Sequence, residues 1–466
     1  MSVNFGFSLP ALRQAGAGSN PFGQLGPTLD LSFAGTVTDT NNPNGYTLNT
    51  NFITPEYQVA AQYAIWEDGV GLSQKTFSQI VTFTRASTGT YFNSAGTLTT
   101  AAINEARFDY NPSTLAAQGL LIEESRTNSI RNNTMVGAVA GTPGTDPTNW
   151  VTSYGALTQQ IVGTGTENGI AYIDYRYSGT LTGSIVIRPD SESQVVASSG
   201  QAWTGSAYVK LVGGSLTNVT CSLNMRQGTA AGALVLNTFQ SFTPTSAALN
   251  TQRASIVVAS TQATTERILV RLTLDATGAI DITLRIGLPQ LEQGAFATSV
   301  IPTTTTALTR SADVASVNTL SPWYNAVEGT LFAEITASAN ANTVYAALNN
   351  GTITQNSTYF DNDTGSIRAV TFSSGSAVAA LGLGAIGTAG TVNKLASAYK
   401  VNDFAAVRNG GTVQTDALGA VPVSVSQLDL GRNPSGLAVT YISGYLRRIT
   451  YYPRRLANAD LQAITA

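Results

Sequence analysis

From Val81 to Ala86 apolar and polar positions alternate. Val81, Phe83 and Arg85 fall on one side, and Thr82, Thr84 and Ala86 on the other. That is the two-residue period of a half-buried strand. Ser87-Thr88-Gly89 forms a turn cluster, Tyr91-Phe92 opens a second strand, and Asn93-Ser94-Ala95-Gly96 supplies the next turn. Alternation returns at Arg107–Tyr110, stops at Asn111-Pro112, and resumes at Gly119–Glu123 before Arg126-Thr127-Asn128. The pattern predicts a meander of short strands without helix over 81–134. Further on, strand signals recur at Ala171–Tyr177, Gly183–Ile187, Gly205–Leu211, Val219–Met225, Ser255–Ala259, Glu266–Leu274 and Ile280–Leu288. Their close spacing between turn residues predicts an antiparallel sandwich. A second set begins at Gly329–Thr336, includes the hairpin-turn dipeptide Asn409-Gly410, and closes with Gly444–Tyr451. A short final helix is expected with Asn458 as its N-cap.

These signals predict an all-β chain in four parts. Residues 1–80, rich in Gly and Pro, read as an extended arm that gains order by lying against another subunit. Within it, 57–66 fits a short helix or a strand pair. Residues 81–135 form the meander, 136–310 one sandwich and 311–466 another.

Composition narrows the chemistry. Charged residues make up 11% of the 466, under half of the usual ~25%, so hydroxyls and amides must form much of the polar surface. A net charge of −3 with no basic run gives no electrostatic footprint for nucleic acid or for an anionic membrane. No apolar run approaches the ~18 residues of a membrane span. The opening MSVNFGFSLPALRQAG lacks the form of a secretory leader, and the chain is expected to be made in a cytoplasm without export signal. The chain has no histidine and one cysteine. Histidine-based triads, histidine-ligated zinc and thiolate metal clusters are therefore excluded. Cys221, flanked by Val219 and Leu223, reads as a buried strand thiol.

Several residues remain candidates. Arg85, Arg107 and Arg126 sit beside apolar strand positions, near Glu105, Glu123 and Glu124. They read as structural ion pairs pinning adjacent strands, with catalysis or phosphate binding as the alternative. Glu292 reads as a structural acid that binds backbone donors or an arginine. Asp361 and Asp363, in Asp361-Asn362-Asp363-Thr364-Gly365, fit a plain turn, with calcium ligation as the alternative; no other cofactor is suggested. Glycoside hydrolysis needs two carboxylates across a groove, whereas Glu334 and Asp429 stand isolated in separate strands. Trp323, Tyr324, Tyr345, Tyr359, Tyr441 and Tyr445 are candidates for stacking on sugar rings, or else for core packing.

The wording F-T-R-A-S-T-G-T-Y-F, then R-F-D-Y-N-P, then G-L-L-I-E-E-S-R-T-N over Phe83–Asn128 resembles a module of tailed-bacteriophage virion proteins, found in tail and head fibres. Thr28–Phe33 is similar to that family's opening strand. P-Q-L-E-x-G-x-F-A-T-S-x-I-P-T from Pro289, followed by T-R-S-A-D at 309–313, is similar to phage sequences as well. Residues 136–310 resemble carbohydrate-binding-module-like jelly rolls, notably at Gln201–Lys210, and 311–466 resemble concanavalin A/laminin-G-like domains. The resemblance implies a non-enzymatic virion fibre protein, made without a signal peptide and displayed on the virion surface. Its N-terminus would dock on tail, collar or capsid proteins, and its sandwiches would bind host surface polysaccharide, as a homotrimer. The alternatives are a decoration or collar component without a receptor, and a polysaccharide depolymerase.

Overall fold

The computed structural model describes residues 29–32, 62–67, 71–337, 342–435 and 441–466. The chain is all-β, its strands arranged in several antiparallel sheets, with two short α-helices, Phe77–Ile80 and Asn458–Thr465, among the described residues. It divides into two compact units instead of the four successive parts expected from sequence. One comprises 1–84, 117–124 and 313–466, the other 85–116 and 125–312. The 81–135 stretch is therefore no module of its own. Its strands are shared out between the two units.

The first unit has two antiparallel sheets. One runs Gln414–Asp416, Phe404–Arg408, Val392–Lys400, Glu328–Ala337, Gly444–Tyr452, Leu29–Ser32, Gln62–Glu67, Gly71–Lys75. Ala117–Ile122 also lies along Gly444–Tyr452, with Gly444 opposite Ile122. The second sheet has seven strands, ending in Gln427–Leu430, Val314–Val317 and Thr82–Thr84. Alternation explains the layers: Leu331, Ala333 and Ile335 are fully buried on one strand, and Leu428 and Leu430 on another. Asn409 and Gly410 both have positive φ and Gly411 N donates to Arg408 O at 2.9 Å, as the sequence signal required.

Two expectations change here. Of the extended arm, 1–28, 33–61 and 68–70 lie outside the described residues. Its described parts are the strands Leu29–Ser32, Gln62–Glu67 and Gly71–Lys75 and the short helix Phe77–Ile80; Leu29 and Leu31 alternate and are wholly buried opposite Tyr451 and Ile449. The piece at 57–66 includes a strand, Gln62–Glu67, and 57–61 lie outside the described residues. The final helix begins at Asn458 and its N-cap is Ala457, one residue earlier than expected. Leu456 N donates to Thr330 Oγ1 at 3.0 Å, and this tether sets where the chain can start to coil.

The second unit is a jelly-roll sandwich built on two long antiparallel strands, Ile170–Arg188 and Arg267–Gln293. They stay in register from Tyr172–Gly287 to Ile187–Leu272 and run through both layers. Sequence reading divided each in two, because Gly179, Gly183 and Gly278 look like turns. In the structure they bend a continuous ladder, and Gly179, with φ 127, is the residue type that such a bend admits. One layer adds Thr158–Glu167, Trp203–Gly214 and Arg253–Val258. The other adds Val151–Ser153, Val219–Gly228 and Leu234–Phe242. Tyr175, Tyr177, Leu223, Met225, Leu272 and Leu284 belong to the core between them. The hairpin of Gly89–Phe92 and Leu98–Ala101 turns on Asn93, whose Oδ1 accepts from Ala95 N and Thr97 N, both at 3.0 Å.

Among the described residues no helix is long and apolar enough to cross a membrane.

Candidate functional site

The six aromatic candidates do not form one platform. Trp323 and Tyr345 are fully buried and Tyr359 is 5% exposed, so these three are core residues and cannot stack on a ligand. Trp323 packs edge-on to Tyr451 at 5.3 Å, and its Nε1 donates to Thr319 O at 2.7 Å. Half-buried Tyr324 leans on the same Tyr451 at 5.7 Å, and burial pushes its phenol up to about 12. Tyr441 is half-buried; burial raises its phenol, against the pull of nearby Arg432. Tyr445 is half-buried and accepts from Gln118 Nε2 at 3.2 Å. Periodicity shows that an aromatic sits on one face of a strand, but not that the face is the core.

The arginines of the Phe83–Asn128 stretch bind main-chain carbonyls. Arg85 donates to Ser87 O at 2.9 Å and Ala102 O at 2.7 Å. Arg107 donates to Thr90 O at 3.0 Å and Ser299 Oγ at 2.7 Å. Arg126 donates to Gln293 O and lies 4.7 Å over the Phe296 ring. Glu123 is buried, and its N–H donates to Asp313 Oδ2 at 2.8 Å. Glu292, fully buried, accepts from Thr298 N at 2.9 Å and from Thr298 Oγ1 at 2.7 Å, the structural role expected of it. Asp361 and Asp363 both turn to Arg368, at 2.6 and 2.7 Å, so a guanidinium occupies the position proposed for calcium. Burial raises the Asp361 carboxyl despite that partner. Among the described residues no cluster of acids or thiols suits a metal ion. Glu334 pairs with Arg447 at 2.8 Å and Asp429 with Arg432 at 2.6 Å.

A dense polar constellation, not singled out by the sequence pattern, lies on a sheet face of the jelly roll. Alternation along Val219–Gly228 sends Cys221, Leu223 and Met225 into the core, and Ser222, Asn224 and Arg226 to the other face. Register puts Asn224 between Arg271 on one neighbouring strand and Phe239 on the other. Ser222 lies between Thr273 and Ser241, and Arg226 opposite Asn237. Asn224 Oδ1 accepts from Arg271 Nη2 at 2.6 Å and Nε at 2.9 Å, and Asn237 Oδ1 accepts from Nη2 at 2.8 Å.

Glu192 joins this face. It pairs with Arg188 at 2.9 Å, Arg226 at 3.1 Å and Arg271 at 2.9 Å. Burial acts to raise its carboxyl, but the three guanidiniums outweigh burial and hold it below the ordinary value. Burial lowers the Arg271 guanidinium, with Glu192 opposing. Beneath this network Asn224 is fully buried and Ser222 is 3% exposed, yet Asn224 Nδ2 and Ser222 Oγ have no hydrogen-bond partner. Phe239, in contrast, is 54% exposed. In the sequence, Glu266-Arg-Ile-Leu-Val-Arg-Leu-Thr-Leu274 mixes polar and apolar positions, a signal that points to this face.

On the opposite layer Glu167, Asp174, Lys210 and Arg285 form a second charged group, with Arg285 3.5 Å over the Tyr172 ring. Its members satisfy one another across four strands. A void of about 10 Å³ between the layers, lined by Trp150, Leu223, Val270 and Ile286 among others, has room for about one water.

Fold and site together define an all-β protein of two sandwich units with a polar, arginine-rich sheet face. No family model matches the sequence, and no curated protein matches it. Among solved structures, the chain is similar to a native heptameric SAP-like pentraxin from Limulus polyphemus, at 10% identity and TM-score 0.25, over 30% of this chain and 70% of that one. It is similar to domains LG4-5 of the mouse laminin alpha1 chain, at 10% identity and TM-score 0.20, over 62% and 90%. The CBM22 tandem of Paenibacillus barcinonensis Xyn10C matches at 12% identity and TM-score 0.22, over 68% and 97%. Likenesses at that level decide nothing about this chain's ligand.

Proposed function

We propose that this chain is a structural protein of a tailed-bacteriophage virion, a tail- or head-fibre component displayed on the particle surface, that binds host surface glycan without catalysing its cleavage. The observation that carries the reading is the wording over Phe83–Asn128, which resembles the module of such virion proteins. The fold gives that wording a physical role. It covers three of the four points at which the chain passes between its two units, after 84, 116 and 124. Arg85 and Arg107 donate to backbone carbonyls, which supports a structural role for them. Two rigid β-sandwiches suit recognition by surface groups on a fixed scaffold. Glu334 and Asp429, the isolated strand acids, are each tied to an arginine, which supports binding over hydrolysis. Docking through the N-terminal segment on tail, collar or capsid protein, and assembly as a homotrimer, belong to the same proposal.

Labelling purified particles with antibody to the chain, and adding the purified full chain to host cells before and after periodate oxidation of their glycans, tests the reading. Label on the particles and periodate-sensitive binding are expected. A chain missing from particles overturns the virion role. Label on particles without cell binding replaces the adhesin with a decoration protein.

A further inference from the structure

We propose that the jelly-roll face carrying Ser222, Asn224, Arg226, Phe239 and Arg271 is a binding site for a carboxylate-bearing sugar, a uronic acid type of residue. This rests on the glycan reading above and deepens it. The site lies in the inserted jelly roll, whereas the sequence signals point to the C-terminal aromatics.

Four observations converge. Asn224 Nδ2 and Ser222 Oγ are buried polar groups without partners, and each leaves uncompensated the desolvation cost of such a group. Two residues apart on one strand, they share a face. A vicinal pair of ligand hydroxyls offers the acceptor that the amide lacks, and either role to the serine. Second, Glu192 answers only one of the three positive charges of Arg188, Arg226 and Arg271. Because those guanidiniums keep Glu192 ionised, the local excess is positive at neutral pH, in a chain of net charge −3. An anionic ligand group is what that excess selects. Third, Arg271 is held by Asn224, Asn237 and Glu192 at 2.6–2.9 Å. A planar guanidinium fixed in advance loses little freedom when it meets a carboxylate. Fourth, Phe239 stands directly across from Asn224 and is more than half exposed. It offers a flat apolar surface beside the polar groups, and a sugar ring has both an apolar C–H face and a polar edge. The charged group around Arg285 lacks unpartnered buried donors of this kind among its members.

The test is calorimetric titration of the full chain with an oligogalacturonate, its methyl ester and a neutral oligogalactan of equal length. The oligogalacturonate is expected to bind at least ~10-fold more tightly than the ester or the neutral oligomer. Phe239→Ala changes an exposed side chain and Ser222→Ala removes an unpartnered hydroxyl, so both variants are expected to keep the wild-type melting temperature. Each is expected to weaken oligogalacturonate binding by ~5-fold or more. Equal affinity for acid and ester, no binding of the oligogalacturonate at millimolar concentration, or full affinity in both variants overturns the assignment. Periodate-sensitive binding to host cells, measured beside it, separates the two failures. If it persists in Phe239→Ala and Ser222→Ala, the glycan reading stands and this site falls. If the wild type lacks it, the broader reading falls first.

Discussion

Asp313 and Glu123 clasp each other through the backbone. Asp313 N donates to Glu123 O at 2.9 Å, and Asp313 Oδ2 accepts from Glu123 N at 2.8 Å. The chain leaves the first unit just after Glu124 and returns to it at Asp313, so nearly two hundred residues are inserted between two points that touch. Insertions of this kind are tolerated where the flanking ends are close.

The C-terminal sandwich therefore cannot be cut out as a contiguous piece. A fragment 321–466 lacks Val314–Val317, Thr82–Thr84, Ala117–Ile122 and Leu29–Ser32, all of which pair within that unit. It is expected to show no cooperative thermal transition by circular dichroism. A chain in which 125–312 is replaced by a short Gly/Ser linker across the Glu123–Asp313 clasp is expected to keep one. A sharp transition in the fragment would refute this account of the unit.

Gly119 marks where Ala117–Ile122 meets its partner strand. Its φ is 124, and a Cβ there would run into the Leu446 carbonyl. Gly119→Ala is expected to cost about 2 kcal/mol or more, from strain and collision together. Denaturant titration reads the loss directly, and a change under 0.5 kcal/mol would contradict the close approach.

Glu192 should make stability depend on acid. Its folded-state value lies below the ordinary 4.5. The stabilisation is therefore present above 4.5 and is lost as pH falls through the depressed folded value. At pH 7 Glu192→Gln is expected to destabilise the jelly roll by about 1.5–3 kcal/mol, the range for hydrogen bonds to charged groups. The gap between variant and wild type should narrow steadily below pH 4.5. A gap independent of pH between 7 and 3 would mean that the carboxylate charge is not what matters.

Cys221 is 2% exposed, and burial pushes its thiol up to about 12. The thiolate is the reactive form. Ellman's reagent at pH 8 is expected to leave the native chain unlabelled over hours and to label it fully in denaturant. Rapid labelling of the native protein would show that the strand opens.

Alternation made most strands legible, because each sandwich buries one face of a sheet. It failed where faces do not follow burial. Leu234–Phe242 was missed, since Leu234, Leu236 and Phe239 are exposed and the strand shows no apolar stripe. Tyr345 and Tyr359 look available only because periodicity does not reveal which side of a strand is inside, and Trp323 because it lies in a turn between strands whose burial is not local in sequence. Asn224 and Ser222 drew no attention because polar residues at alternate positions are what an ordinary wet surface also shows. Their burial comes from neighbours on other strands and from Glu192, none of which is local in sequence. The division into two units was illegible for the same reason, as it depends on pairings such as Leu29 with Tyr451.

That last pairing sets a timetable for the newborn chain. Ribosomes extend proteins at ~5–20 residues per second, so the roughly 420 residues between these partners take about 20–80 s to appear. The jelly roll, drawn from 85–116 and 125–312, can close long before then. The strands Leu29–Ser32 and Ala117–Ile122 have to wait for Gly444–Tyr452 to be synthesised. Through that interval the edge of each strand that will face Gly444–Tyr452 is open to any strand nearby, even where its other edge has paired, as Leu29–Ser32 does with Gln62–Glu67. The vulnerable stage in this protein's life is its synthesis, and crowding among chains on one messenger, more than heat, is the condition under which it should aggregate.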